Sequence, residues 1–143
     1  MNEQLITFGT AKLAKEKGFD IISEYFYPDE SWNQNDRIIN CIEVGYNDTA
    51  QLIGNDSNGF GDITIVVSQS ILQRWLREVH KIYIELIIDG WGSDDEVTDL
   101  NLCYRAFIWE VGKPKPHHNS DLGAHKYETI LEVALYEALK LIK

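Results

Sequence analysis

Basic residues are scarce in this chain, and the scarcity is local. Residues 89–102 contain no Lys or Arg against five acids, and in residues 19–62 Arg37 stands alone against nine. Residues 1–18, 63–88 and 103–143 each sum to +1, so the excess behind the net charge of −10 lies in two stretches, of −8 and −5. A field of that sign disfavours nucleic acid and attracts cationic partners. Both stretches are rich in Asn, Asp, Gly and Ser. Like charges packed that closely need water, so both are expected as surface loops.

Long apolar runs are missing too. No stretch approaches the roughly 18 apolar residues of a membrane span, and MNEQLITFGTAKLAKEKG does not resemble a signal peptide. The two cysteines, Cys41 and Cys103, each lie in a strand-like run. That usage fits buried reduced thiols in the cytoplasm better than a disulfide framework. No G-x-S-x-G elbow occurs, and GNDSNGFGD (54–62) lacks the lysine of a phosphate loop. With Gly59 as the turn glycine of a calcium loop, Gly54 and Ile65 would fall where acidic ligands belong, so this is not an EF-hand. Asp94, Asp95, Glu96 and Asp99 fit no calcium template either.

What remains is a chain of 143 residues, 44% hydrophobic with four Trp, enough for one domain over 1–143 with a real core. TFGTAKLAKEKG predicts a first helix with Thr7 as cap, Phe8, Ala11 and Ala14 inside, and Gly18 as terminator. IINCIEV (38–44) and ITIVV (63–67) read as strands. In SQSILQRWLREVHKIYIELII (68–88) the period changes from helical to two with no glycine or proline between. Ile71, Leu72, Trp75, Leu76 and Val79 share one helix side, opposite Ser70, Arg74, Arg77, Glu78 and Lys81. Ser70 and Gln73 have capping-box spacing, and Arg74 and Glu78 are spaced for an ion pair. In the strand that follows, Ile82, Ile84, Leu86 and Ile88 oppose Tyr83, Glu85 and Ile87. CYRAFIWEV (103–111) puts Phe107 and Trp109 on one face, Ala106 and Ile108 on the other. A last helix over 127–142 is apolar through Ile130, Leu131, Ala134, Leu135, Ala138, Leu139 and Ile142. The expected fold is α+β: a single-domain, two-layer sandwich of three helices on a mainly antiparallel sheet of about four strands.

TAKLAKEKGFD, SILQRWLREVHKI and YETILEVALYEALKLI together resemble a family of small, uncharacterised proteins from bacterial phage and prophage genomes. The resemblance covers about half the chain, in three blocks. It implies an origin among bacteria or their mobile elements, and no activity or site residue.

Candidate chemistry is thin. His117, His118, Asp121 and His125 could share a metal if a helix began near Asp121, but Lys113, Lys115 and Lys126 crowd the segment, and a solvated loop is expected. Arg74, Arg77 and Lys81 form a basic helix face, expected as scaffold and not as a phosphate grip. Glu43, Glu85 and Glu110 could meet across a sheet, yet outward-facing glutamates explain them as well. The aromatics Tyr25, Phe26, Tyr27 and Trp32 read as core with a loop anchor. No catalytic, cofactor or metal residue is therefore expected. The expected function is that of a non-enzymatic, acidic accessory protein of phage or prophage origin that binds another protein, possessing a basic surface, through acidic loops and aromatics such as Trp32 and Trp91. The alternative is a small metal-dependent enzyme built on the 117–125 histidines. Oligomeric state is not readable from the sequence.

Overall fold

A computed structural model describes residues 4–29, 37–54, 59–90, 102–117, 123–124 and 126–143. The chain divides into two compact units, Met1–Ser68 and Gln69–Lys143.

In the first unit, α1 (Phe8–Glu16) opens at Thr7, whose side chain accepts from the Thr10 N–H at 3.4 Å. It ends in a Schellman motif. The Phe19 N–H reaches the Ala14 carbonyl at 2.9 Å and the Gly18 N–H reaches Lys15 at 3.1 Å, with Gly18 at φ +92°. A Cβ at Gly18 would meet the left-handed penalty, which is why the helix stops there. Ala11 and Ala14 are buried, as the spacing predicts, while Phe8, expected beside them, is only half-buried.

Three short strands, β1 (Tyr25–Tyr27), β2 (Ile39–Asn40) and β3 (Thr64–Val66), form an antiparallel sheet in the order β2-β1-β3. Phe26, at its centre, is fully buried with Cys41, Leu52 and Ile63. The predicted strand 38–44 is only two residues long. The Asn40 side chain accepts from the Ile42 N–H at 2.9 Å and starts a 3-10 turn over Cys41–Val44. An Asx cap of this kind competes with ladder pairing for the same backbone groups.

A short helix that the sequence reading missed, α2 (Thr49–Gly54), follows. Asp48 caps it through the Gln51 N–H at 2.9 Å, and the Gln51 side chain accepts from the Asn47 N–H at 2.7 Å. Thr49 and Ser23 then exchange two bonds, Thr49 N–H to the Ser23 carbonyl at 2.8 Å and Ser23 N–H to the Thr49 hydroxyl at 3.1 Å. These fix α2 beside the start of β1.

In the second unit, α3 (Gln69–His80) runs into β4 (Ile82–Gly90) through a single residue. That residue, Lys81, takes φ +56°, the only positive φ among the described non-glycine residues. One residue in the left-handed region turns the chain out of the helix, so no glycine is needed in the sequence. β4 pairs antiparallel with β5 (Leu102–Glu110), from Ile82 opposite Glu110 to Gly90 opposite Leu102, and β5 pairs with β6 (Gly123–Ala124). The helices α3 and α4 (Tyr127–Leu139) pack on this sheet and on each other. Ile82, Ala106 and Ile108 are buried on the inner face, and all seven apolar positions predicted for the last helix are buried. Gln69, 4% exposed, ties the two helices by donating to the Glu128 carbonyl at 2.9 Å and to Glu132 Oε1 at 3.0 Å.

The α+β class and the antiparallel pairing agree with the sequence. The arrangement does not: the described residues form four α-helices and two three-stranded sheets, not three helices on one sheet of about four strands. The first-unit strands are too short to extend a common ladder. The capping-box reading also fails, because α3 begins at Gln69 and Ser70 already lies inside its first turn. Gln73 donates its amide to the Ile84 carbonyl at 3.3 Å.

If Lys81 is held against its intrinsic preference, Lys81→Gly should leave stability unchanged or raise it by up to about 1 kcal/mol. Lys81→Val should lower it by about 1–2 kcal/mol. Urea unfolding of the three proteins checks both signs.

Candidate functional site

The helix carrying WLREVH packs its apolar side into the second unit. Leu72, Trp75 and Leu76 are buried, while Arg74, Arg77 and Glu78 face water. His80 meets the Trp75 ring edge-on, with centroids 4.6 Å apart. Val79, expected inside, is 58% exposed, so the apolar stripe ends before the helix does. The Arg74–Glu78 ion pair does not occur among the ion pairs of the described residues. Lys81 turns its ammonium to the Glu78 carbonyl at 3.0 Å.

Of the histidine segment, only His117 is among the described residues. It bridges to Ile108, and its Nε2 lies 3.4 Å from Glu110 Oε2. His118, Asp121 and His125 lie outside the described residues, as do Trp32, Trp91 and the acids Asp94, Asp95, Glu96 and Asp99. Among the described residues no three metal-ligating side chains come together. The three glutamates do not converge. Glu43 sits in the 3-10 turn, and the β4–β5 register puts Glu85 and Glu110 on opposite faces of the sheet. Phe26 and Tyr27 are buried, as a core reading requires. No described helix is long and apolar enough to cross a membrane.

The surface that the sequence signalled without its being singled out is the outer face of the β4–β5 hairpin. Alternation sends Tyr83, Glu85 and Ile87 of β4 and Arg105, Phe107 and Trp109 of β5 to that face. Tyr83 stands directly opposite Trp109, at 42% and 39% exposure, and Val111, just beyond β5, is 65% exposed. Ile87 is exposed as well. Apolar and aromatic side chains thus adjoin on one face of a rigid hairpin, with Glu85 and Arg105 set among them. Such a face can bind by area and aromatic contact, the pattern of protein-binding surfaces. Clustering distinguishes it, since isolated exposed apolar residues are ordinary.

Compared with family models, with curated proteins and with solved structures, the chain matches none.

Both cysteines are free and buried, as expected. Burial holds the Cys41 thiol above its ordinary value of 9.0, helped by the charges of Asp48 and Glu24. A thiol raised on folding stays neutral while the unfolded chain begins to ionise. Its contribution to stability is therefore complete below the unfolded value and is lost as the pH rises through the folded one. Stability should fall above about pH 9, and Cys41→Ala should flatten that part of the slope. Urea unfolding across the alkaline range, wild type against variant, checks it.

Proposed function

We propose that this protein is a non-enzymatic accessory protein of phage or prophage origin, acting in the bacterial cytoplasm, that binds another protein bearing a basic surface. The observation that carries the reading is the exposed cross-strand pair Tyr83–Trp109 on the outer hairpin face. Paired aromatics on a preformed sheet supply contact area at little conformational cost. The net charge of −10 supplies the attraction at long range, so charge governs encounter while the aromatic face governs residence. The acids among the described residues support this division, for no charged side chain there is buried.

Metal-dependent chemistry is the competing reading, and its one supporting contact among the described residues is that of His117 with Glu110. Stoichiometric Zn, Mn or Fe in protein purified without metal-affinity resin would favour it over the binding reading.

The test uses tagged wild type beside Trp109→Ala, with the fold of each checked by circular dichroism. A bacterial lysate should yield one basic protein whose recovery falls steeply with added salt and drops about tenfold or more with the variant. Recovery that is indifferent to both salt and the substitution, or no partner at all, counts against the proposal.

A further inference from the structure

The second-unit sheet runs in the order β4-β5-β6, so among the described residues β4 has a strand on one side only. Antiparallel pairing alternates between residues whose backbone groups turn to the partner strand and residues whose groups turn away. The Val111 N–H donates to the Lys81 carbonyl at 3.1 Å, so the odd-numbered residues of β4 are those that exchange bonds with β5. Ile84, opposite Ile108, belongs to the other set. Its carbonyl accepts from the Gln73 amide at 3.3 Å, and Ile108 turns its own groups the opposite way, to His117. Leu86 and Ile88 therefore also direct N–H and C=O to the open side of β4. Among the described residues, the Gln73 amide at Ile84 is the only group bonded along that side from Ile84 to Ile88.

The side chains are open at the same place. Ile82, at the start of β4, is buried, but on the same inner face Ile84 and Leu86 are only half-buried and Ile88 is 62% exposed. The apolar layer under the sheet thus reaches the β4 edge without being closed off. Edge strands are commonly guarded by proline, lysine, a bulge or short length. β4 has nine residues, no proline or lysine, and an unbroken register with β5. In its open part, Ile84 to Ile88, the one charged residue is Glu85.

We infer that the open edge of β4 accepts a strand from the basic partner: an extended segment that alternates β-branched apolar residues with Lys or Arg and pairs antiparallel with Ile84–Ile88. The inference rests on the reading of this protein as a binder of a basic protein, and it specifies the form in which that partner docks. The apolar residues of the segment, opposite Ile84, Leu86 and Ile88, extend the inner layer and exchange backbone bonds with β4. Its basic residues, opposite Glu85 and Ile87, fall on the outer face, where Glu85 meets them and Tyr83 lies alongside. In strand addition the backbone bonds supply affinity and the alternate side chains supply selectivity. Charge decides between this occupant and a second copy of the chain. Each copy carries −10, and β4 paired with itself brings no base to Glu85.

Fluorescence anisotropy of a labelled peptide of alternating valine and lysine, titrated with the wild-type protein, tests the inference. The peptide should bind with Kd of about 100 μM or below. Methylating the backbone nitrogens of its valines, which face β4, should weaken binding about tenfold or more; methylating those of its lysines, which face away, should change it less than about threefold. A valine–glutamate peptide should bind about tenfold or more weakly. Ile88→Pro deletes an N–H that lies outside the β4–β5 ladder and should weaken the valine–lysine peptide about tenfold. Hydrogen exchange at Leu86 and Ile88 should slow when that peptide is added. No binding, equal loss from methylation at either set, or equal binding of the glutamate peptide overturns the inference. So does a dimer whose Leu86 and Ile88 amides are already protected without peptide, which would assign the edge to a second copy. The methylated peptides are compared on wild type alone, so an Ile88→Pro protein that fails to fold does not remove the test. Binding that ignores methylation but needs lysine overturns the added strand and leaves the basic-partner reading standing; a peptide that binds as expected while no lysate partner is recovered does the reverse.

Discussion

Were β4 to slip one residue against β5, Ile82, Ile84 and Leu86 would turn to solvent, and Tyr83, Glu85 and Ile87 would face α3 and α4. The inner layer would then hold a carboxylate with no counterion, at a cost of several kcal/mol. Pairing at the open end of the hairpin works against that slip. The Lys81 carbonyl accepts from the Val111 N–H at 3.1 Å, so the left-handed turn that ends α3 also fixes where β5 must stop. On the other edge of β5, His117 exchanges two backbone bonds with Ile108, at 2.7 and 3.4 Å. Helix end, strand register and the choice of exposed side chains are one constraint in three places.

Charge is distributed along different lines from those the sequence suggests. The four bases and eleven acids of residues 1–68 give −7, while residues 69–143 carry −3. The stretch 19–62, expected as anionic surface loop, holds β1, β2, the 3-10 turn, α2 and the buried Phe26, Cys41 and Leu52. Both descriptions hold at once because the roles alternate residue by residue. Tyr25, Phe26 and Tyr27 pair in the sheet, while the carboxylates of Asp20, Glu24, Glu43 and Asp62 remain in water. Local charge density identified where the acids go and concealed the structure lying between them.

What could be read from the sequence was what repeats over several turns. The last helix shows its apolar positions three and four apart over four turns, and every one is buried. The β4 and β5 faces followed from the period of two read over 82–88 and 103–111, although Ile88, assigned to the inner side, is 62% exposed. Shorter elements failed for a specific reason: one side-chain bond decides them. Asn40 turned an apparent strand into a 3-10 turn by accepting one N–H, and D-T-A-Q at 48–51 was a cap signal that passed unread beneath the acidic composition. A cleft in the first unit, beside α1, could not be foreseen at all. Its residues come from positions 8–16, 28–29 and 62–64, and only the fold brings them together.

The fold gains little from the outer hairpin face. A cross-strand aromatic pair contributes roughly 0.2–1 kcal/mol to a hairpin, which polar β-formers such as Thr could partly supply without exposing large rings. Tyr83 and Trp109 are therefore larger than the hairpin needs, and their open sides are a standing liability for association. There the side chains depart from what packing alone would select, and such departures are expected where a surface is shaped by what it meets.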